Sequence, residues 1–141
     1  ASSGTERLLP EDDELKAEAE NLRAYLEAAD REIDLLAVHN RKLVTPLPPR
    51  VPVVLYGHDH KMAITEEDGT VLVNAGTTGA AGLRGFGNEK IPYSVALLRF
   101  NLKDGRYHLA AVDSIQVFSL HGKFILERTV VSAPDTTGDE R

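Results

Sequence analysis

The sequence predicts an α/β (α+β) fold in which one N-terminal helix is followed mostly by β-strands. An acidic helix start at residues 10–14 leads into an apolar stripe at helical spacing. Short runs rich in β-branched and aromatic residues fill most of the remaining chain, as is typical of strands. Two Asp-Gly pairs, at 68–69 and 104–105, lie between such runs and indicate hairpin turns.

The composition is that of a soluble globular protein. Of 141 residues, 42% are hydrophobic and 27% charged. The net charge of −6 and the lack of a Lys/Arg cluster predict no nucleic-acid binding. The absence of cysteine excludes disulfides and thiolate metal ligands. No apolar run approaches the roughly 20 residues of a membrane span, and localisation is left open between cytoplasmic and membrane-anchored.

We expect one partial domain over residues 11–131. Residues 1–10 are expected to be disordered or left over from cloning, and residues 132–141 to form a flexible tail. The helix stripe consists of Leu15, Ala19, Leu22, Leu26 and Ala29. Residues 33–38 indicate a buried strand, and residues 41–50, with three prolines, predict a connection without regular structure.

A second buried strand is predicted over residues 51–56, and it stops at a glycine. The later strands are predicted at 62–65, 70–74, 93–102, 107–112, 114–118 and 124–131. Between them, residues 75–87 hold five of the eleven glycines.

Histidines follow both buried strands. His39 ends the first, and Gly57-His58-Asp59-His60 follows the second. If the chain stays extended through Asp59, both imidazoles of that motif point to the same side. Imidazole is the commonest nitrogen ligand for transition metals, so a metal site is one interpretation. The alternative is that these histidines are turn or strand-end residues hydrogen-bonded to the backbone.

The order of these motifs resembles the second half of the calcineurin-like metallophosphoesterase superfamily. The resemblance covers about residues 11–102: a helix, a strand ending at His39, a Gly-His-x-His motif, a hairpin and the glycine-rich segment at 73–79. It implies the C-terminal half of a four-layer α/β/β/α sandwich. Such enzymes hold two divalent metal ions (Mn, Fe, Zn or Ni) and hydrolyse phosphoesters with a metal-bridged hydroxide.

The resemblance also implies residue roles. His39 and His58 would bind one metal ion and His60 the other. Asn40 stands where many members of the family have another histidine. Asp59 is either a turn residue or, like Asn40, a hydrogen-bond partner that orients an imidazole.

Within the glycine-rich residues 75–87, Gly79 and Arg84 are possible phosphate contacts through a backbone N–H and a guanidinium. The alternative is a glycine-rich turn with Arg84 in solvent.

The chain departs from the family in its missing carboxylates. The Asp-x-His, Gly-Asp-x-x-Asp and Gly-Asn-His motifs of the first half are absent. Without a bridging carboxylate two dications repel, so we expect at most one weakly bound ion and little or no phosphoester hydrolysis by this chain alone. The expected partners are a phosphoester substrate of the parent enzyme and an N-terminal half, a swapped copy or a homodimer. The alternative is a non-catalytic β-rich binding or assembly module with a structural histidine pair.

Overall fold

The computed structural model of the chain describes residues 12–47, 51–78, 91–118 and 122–131. The predicted terminal segments, residues 1–10 and 132–141, lie outside the described residues. A helix, α1, and a short 3₁₀ helix occur among mostly β-strands, which confirms the predicted fold class. The elements in order are α1 (Asp12–Ala28), β1 (Leu36–Ala37), the 3₁₀ helix (Arg41–Val44), β2 (Val53–Tyr56), β3 (Met62–Glu67), β4 (Thr70–Ala75), β5 (Tyr93–Lys103), β6 (Arg106–Phe118) and β7 (Lys123–Val130).

The strands form two sheets. Sheet one has the order β1-β2-β4-β3, with β1, β2 and β4 parallel and β3 antiparallel to β4. Sheet two is antiparallel, with the order β5-β6-β7. The Asp68-Gly69 and Asp104-Gly105 pairs form the hairpin turns at positive φ, as their chemistry predicts.

Strand β4 lies at the centre of the packing because both of its faces are buried. Leu72 points toward α1 and packs with Val44 and Val54, while Val71 and Val73 pack against Val112 of sheet two. The described residues therefore form three layers: the helices, sheet one and sheet two. None of the described helices is long and apolar enough to cross a membrane.

Two sequence predictions about the first strands need correction. The strand predicted at 33–38 is reduced to Leu36–Ala37, the two residues that lie in register with Val54 and Leu55 of β2. The prediction that residues 41–50 form no regular structure is wrong at Arg41–Val44. The side chain of Asn40 begins this 3₁₀ helix, since its Oδ1 accepts a 2.9 Å hydrogen bond from the Lys42 N–H.

Strand β6 runs unbroken where the sequence predicted two strands separated at Asp113. The Asp113 carboxylate is buried in mid-strand because Arg99 and Arg128, on the neighbouring strands, both donate hydrogen bonds to it. Paired charges of this kind can remain inside a sheet that an isolated carboxylate would interrupt.

Candidate metal-binding site

Two of the three histidines singled out from the sequence lie at the carboxyl ends of adjacent parallel strands. Val38 N–H donates to Leu55 C=O at 2.9 Å, and Gly57 N–H donates to His39 C=O at 3.0 Å. The first bond extends the pairing past the end of β1, and the second extends it past the ends of both strands. His39 and His58 are therefore held side by side at the edge where ligand sites of parallel sheets usually lie.

The two imidazole rings lie in direct contact. His39 Nε2 and His58 Nδ1 are 3.4 Å apart, and the rings meet nearly at right angles, with centroids 5.4 Å apart and an interplanar angle of 88°. A good hydrogen bond between ring nitrogens spans about 2.7–3.2 Å. Two imidazole nitrogens on one tetrahedral ion, each bonded at about 2.0–2.1 Å, lie about 3.3–3.4 Å apart. The separation matches that of two nitrogens on a shared metal ion, and it also allows a long hydrogen bond between the two rings.

The turn that carries His58 and His60 differs from the extended segment assumed in the sequence analysis. His58 has φ 74° and His60 has φ 58°, and Asp59 N–H donates to Gly57 C=O at 3.0 Å. Left-handed backbone is unfavourable for residues with a Cβ. Because both histidines nevertheless have left-handed backbone, the assumption that the chain stays extended through Asp59 is wrong. The two imidazoles are not related by the alternation of side chains along a strand.

Across the described ranges, no group of three or more His, Cys, Asp or Glu side chains is arranged to hold a metal ion. The structure pairs His39 with His58, and the ligand roles of both, and of His60, stay predictions. Asp59 is exposed, and its role in orienting an imidazole is likewise untested.

Asn40 uses its side-chain oxygen to begin the 3₁₀ helix, and its orienting role also stays a prediction. The possible phosphate contacts, Gly79 and Arg84, lie outside the described residues.

Asn74 contacts the turn that carries His58, and the sequence analysis did not identify it as a site residue. It is the penultimate residue of β4, pairs with Tyr56 and is 1% exposed. Its Nδ2 lies 3.5 Å from Gly57 C=O, while its Oδ1 accepts a 2.9 Å hydrogen bond from Gly76 N–H. The available signal was a polar residue at the end of an apolar run.

Arg41 fastens the segment after His39 to sheet one. Its guanidinium donates to both carboxylate oxygens of Glu67 at 2.6 Å and lies 5.9 Å from the centre of the Tyr56 ring. The hydrogen bond with Glu67 raises the pKa of Arg41 above its ordinary value. No local sequence signal identified this pair, since its members are 26 residues apart.

Comparison with solved structures finds partial likenesses to Vps29. A Vps29 of Entamoeba histolytica complexed with Zn²⁺ is 24% identical, with a TM-score of 0.42, over 57% of this chain and 39% of that one. A double mutant of the same protein is 21% identical, with a TM-score of 0.48, over 66% and 48%. Chaetomium thermophilum Vps29 is 16% identical, with a TM-score of 0.43, over 90% and 51%.

The chain spans about half or less of the length of these structures. It is thus structurally similar, at low identity and over part of its length, to Vps29, a protein with the metallophosphoesterase fold. No protein-family model and no curated protein matches the sequence.

Proposed function

We propose that this chain is the C-terminal portion of a dinuclear metal-dependent phosphoesterase. It would supply the histidine ligands of the divalent-metal site at which the phosphoester is hydrolysed. The observation that carries this proposal is the 3.4 Å separation of His39 Nε2 and His58 Nδ1. Both nitrogens belong to residues that follow parallel strands, and their chemistry suits Zn, Mn, Fe or Ni.

The part played by the chain itself is to hold and orient the ligands. The backbone bond from Gly57 to His39 fixes the spacing of the two loops, and Asn74 fixes the turn before His58. A bound divalent ion supplies Lewis acidity to a water molecule and to the phosphoryl group. His60, two residues after His58, is the proposed ligand of a second ion.

The carboxylates of a complete dinuclear site must come from outside this chain. Two imidazoles are neutral ligands and cannot offset the repulsion between two dications a few ångströms apart. The chain alone should therefore bind one ion weakly, and it should hydrolyse an aryl phosphoester no faster than the free metal does. An N-terminal half that carries the missing carboxylates should restore turnover.

Metal titration tests the ligand assignment directly. Zn²⁺ and Mn²⁺ are titrated into the chain by calorimetry, and the thermal unfolding midpoint is followed with increasing metal. His39→Ala and His58→Ala should each abolish the heat of binding and the rise in midpoint, since each removes half of the pair. His60→Ala should leave the first ion bound.

The matched control is His108→Ala, which removes an exposed imidazole of β6 from a different part of the fold. It should bind metal as the unmodified chain does. If the unmodified chain shows no metal-dependent heat or stabilisation, or if His108→Ala weakens binding as much as His58→Ala, the proposed site is wrong.

A non-catalytic binding or assembly module is the second candidate function. One observation favours it: the outer face of sheet two exposes a row of large apolar side chains, which is typical of interaction surfaces. The two functions are distinguished by the same titration, because an assembly module needs no metal ion at the histidine pair.

A further inference from the structure

A cavity of about 520 Å³ lies between α1 and the 3₁₀ helix. One wall is formed by the face of α1 from Leu15 to Leu26, and the other by residues 42–46, which belong to the 3₁₀ helix and the two residues after it. Arg23 joins the two walls, because its Nη2 donates a 2.7 Å hydrogen bond to Pro46 C=O. The volume falls within the roughly 300–1,000 Å³ of small-molecule sites in proteins.

The inside of this cavity is apolar. Its hydrophobic lining includes Leu15, Ala19, Leu22, Leu26, Leu43 and Val44. Val44 is 1% exposed and Leu22 packs on the same core cluster, so the cavity reaches the hydrophobic core beside sheet one. A polar group placed here would lose its water without gaining a hydrogen-bond partner, whereas an alkyl chain would be stabilised by leaving water.

The length of the cavity suits an extended alkyl chain. Its lining on α1 extends over eleven residues, from Leu15 to Leu26, which at about 1.5 Å per residue is about 16 Å. An extended alkyl chain with C–C bonds of about 1.5 Å advances about 1.3 Å per carbon, so about 12 carbons match this length.

The charged side chains that line the cavity are mostly basic: Lys16, Arg23 and Lys42, with Glu20 as the acidic member. Lys16 and Arg23 directly follow Leu15 and Leu22, so both lie beside the apolar stripe of α1. Such side chains cover apolar surface with their alkyl stems and keep the charge in water. Lys16 also lies 3.7 Å from Asp13, but both groups are exposed, and such pairs contribute little. The edge of the cavity is therefore net positive, in a chain whose net charge is −6.

We propose that this cavity binds a free long-chain carboxylate, a fatty acid anion of about 12 carbons. Its alkyl chain lies along α1, and its carboxylate lies at the edge beside Lys16, Arg23 and Lys42. The net positive edge disfavours a cationic amphiphile, and the apolar walls disfavour a small inorganic anion. Binding there is independent of the histidine pair, because no histidine is among the described residues that line the cavity.

Isothermal titration calorimetry on the 141-residue chain tests the length and the charge of the ligand. Laurate, kept below its micelle-forming concentration, should bind at a single site. Octanoate has the same carboxylate on a shorter chain, so it should bind at least about tenfold more weakly. Dodecyltrimethylammonium has the opposite charge, and it should bind at least about threefold more weakly than laurate. Non-specific adsorption to a chain of charge −6 would favour this cation instead.

Two alanines of α1 offer a matched pair of substitutions. Ala19 lines the cavity, whereas Ala17 is exposed on another face of the helix. Ala19→Leu should raise the laurate dissociation constant at least about fivefold, because the added side chain occupies the space of the ligand. Ala17→Leu makes the same change of helix propensity and should leave the constant within about twofold. Circular dichroism checks that both variants keep α1.

A charge reversal tests the edge of the cavity. Lys16→Glu combined with Lys42→Glu should weaken laurate binding at least about tenfold and make dodecyltrimethylammonium the tighter ligand. The control, Lys103→Glu combined with Lys123→Glu, makes the same change of net charge on sheet two and should keep the preference for laurate.

Four outcomes would each overturn the proposal. The first is an unmodified chain that does not bind laurate, and the second is an equal effect of the two alanine substitutions. The third is a preference for laurate that survives charge reversal at the cavity. The fourth is binding to vesicles of phosphatidylglycerol without binding of laurate, which would assign this surface to a membrane.

Discussion

Gly76 follows β4, next to Ser94 of β5, in a position where any Cβ would meet a steric clash. Its φ of 77° is left-handed, and a Cβ built on it would lie 2.0 Å from Ser94 Oγ and 3.0 Å from Met62 N. Ser94 Oγ donates to Ala75 C=O at 2.8 Å and accepts from Thr77 N–H at 3.1 Å. Gly76→Ala should therefore strain the backbone and displace a buried hydroxyl.

The expected cost of Gly76→Ala has two parts. The left-handed backbone costs a residue with a Cβ about 1–2 kcal/mol. Displacement of Ser94 Oγ breaks two hydrogen bonds in a site that is 3% exposed, which adds about 2–3 kcal/mol. Gly76→Ala should thus lower the free energy of unfolding by about 3–5 kcal/mol.

Urea unfolding followed by circular dichroism measures this change, and the chain offers matched controls. Gly69 and Gly105 have φ of 76° and 77°, with nothing within 4 Å of an added Cβ. Alanine at either position should cost only the backbone part, about 1–2 kcal/mol. The difference between Gly76→Ala and Gly105→Ala isolates the clash with Ser94.

Equal destabilisation by Gly76→Ala and Gly105→Ala would refute this reasoning. A double-mutant cycle with Ser94→Ala gives a second check, because removal of the hydroxyl relieves the 2.0 Å contact. The double variant should then be less destabilised than the sum of the two single variants.

Two further substitutions test buried polar contacts. Thr70 is 5% exposed, and its hydroxyl donates a 2.8 Å hydrogen bond to a buried backbone carbonyl; Thr70→Val should cost about 1–2 kcal/mol in urea unfolding. The exposed Thr65→Val is its control and should change stability by under about 0.5 kcal/mol, so similar values for the two would contradict the role of the bond. A hydrogen bond from Arg128, and to a smaller extent one from Arg99, hold the pKa of Asp113 well below its usual range. Because that folded-state pKa is depressed, the stabilisation is complete above the unfolded value of about 3.9 and is lost as the pH falls from there toward the folded pKa. The free energy of unfolding, measured between about pH 2 and 6, should depend less on pH in Asp113→Asn than in the unmodified chain. An unchanged pH dependence would contradict this account.

The sequence analysis predicted correctly those elements whose formation depends on a few adjacent residues. The Asp68-Gly69 and Asp104-Gly105 turns and the start of α1 follow from backbone preferences of a few adjacent residues, and they are confirmed. The short β1 and the 3₁₀ helix were not predicted, because the first depends on its pairing with β2. The second depends on a side-chain bond from Asn40 and on burial of Val44 against sheet one.

The candidate site likewise has features that the sequence predicted and features that it did not. The proximity of His39 and His58 was inferred from their positions after neighbouring strands, and the two ring nitrogens are in fact 3.4 Å apart. The left-handed turn at His58 was not predictable, since it depends on contacts across the sheet such as Asn74 to Gly57. The Arg41–Glu67 pair joins residues distant in sequence, which no local pattern reveals.

The shortness of β1 has a consequence for any ligand of the histidine pair. Strand β1 lies at an edge of sheet one and is paired with β2 at two residues, Leu36 and Ala37. Edge segments with so few bonds open more readily than the interior of a sheet. A ligand bound by the rings of both His39 and His58 would hold β1 against β2. It should therefore slow the hydrogen exchange of the Val38 and Gly57 amides more than that of other amides. Those two protons would report occupancy even where global stability hardly changes.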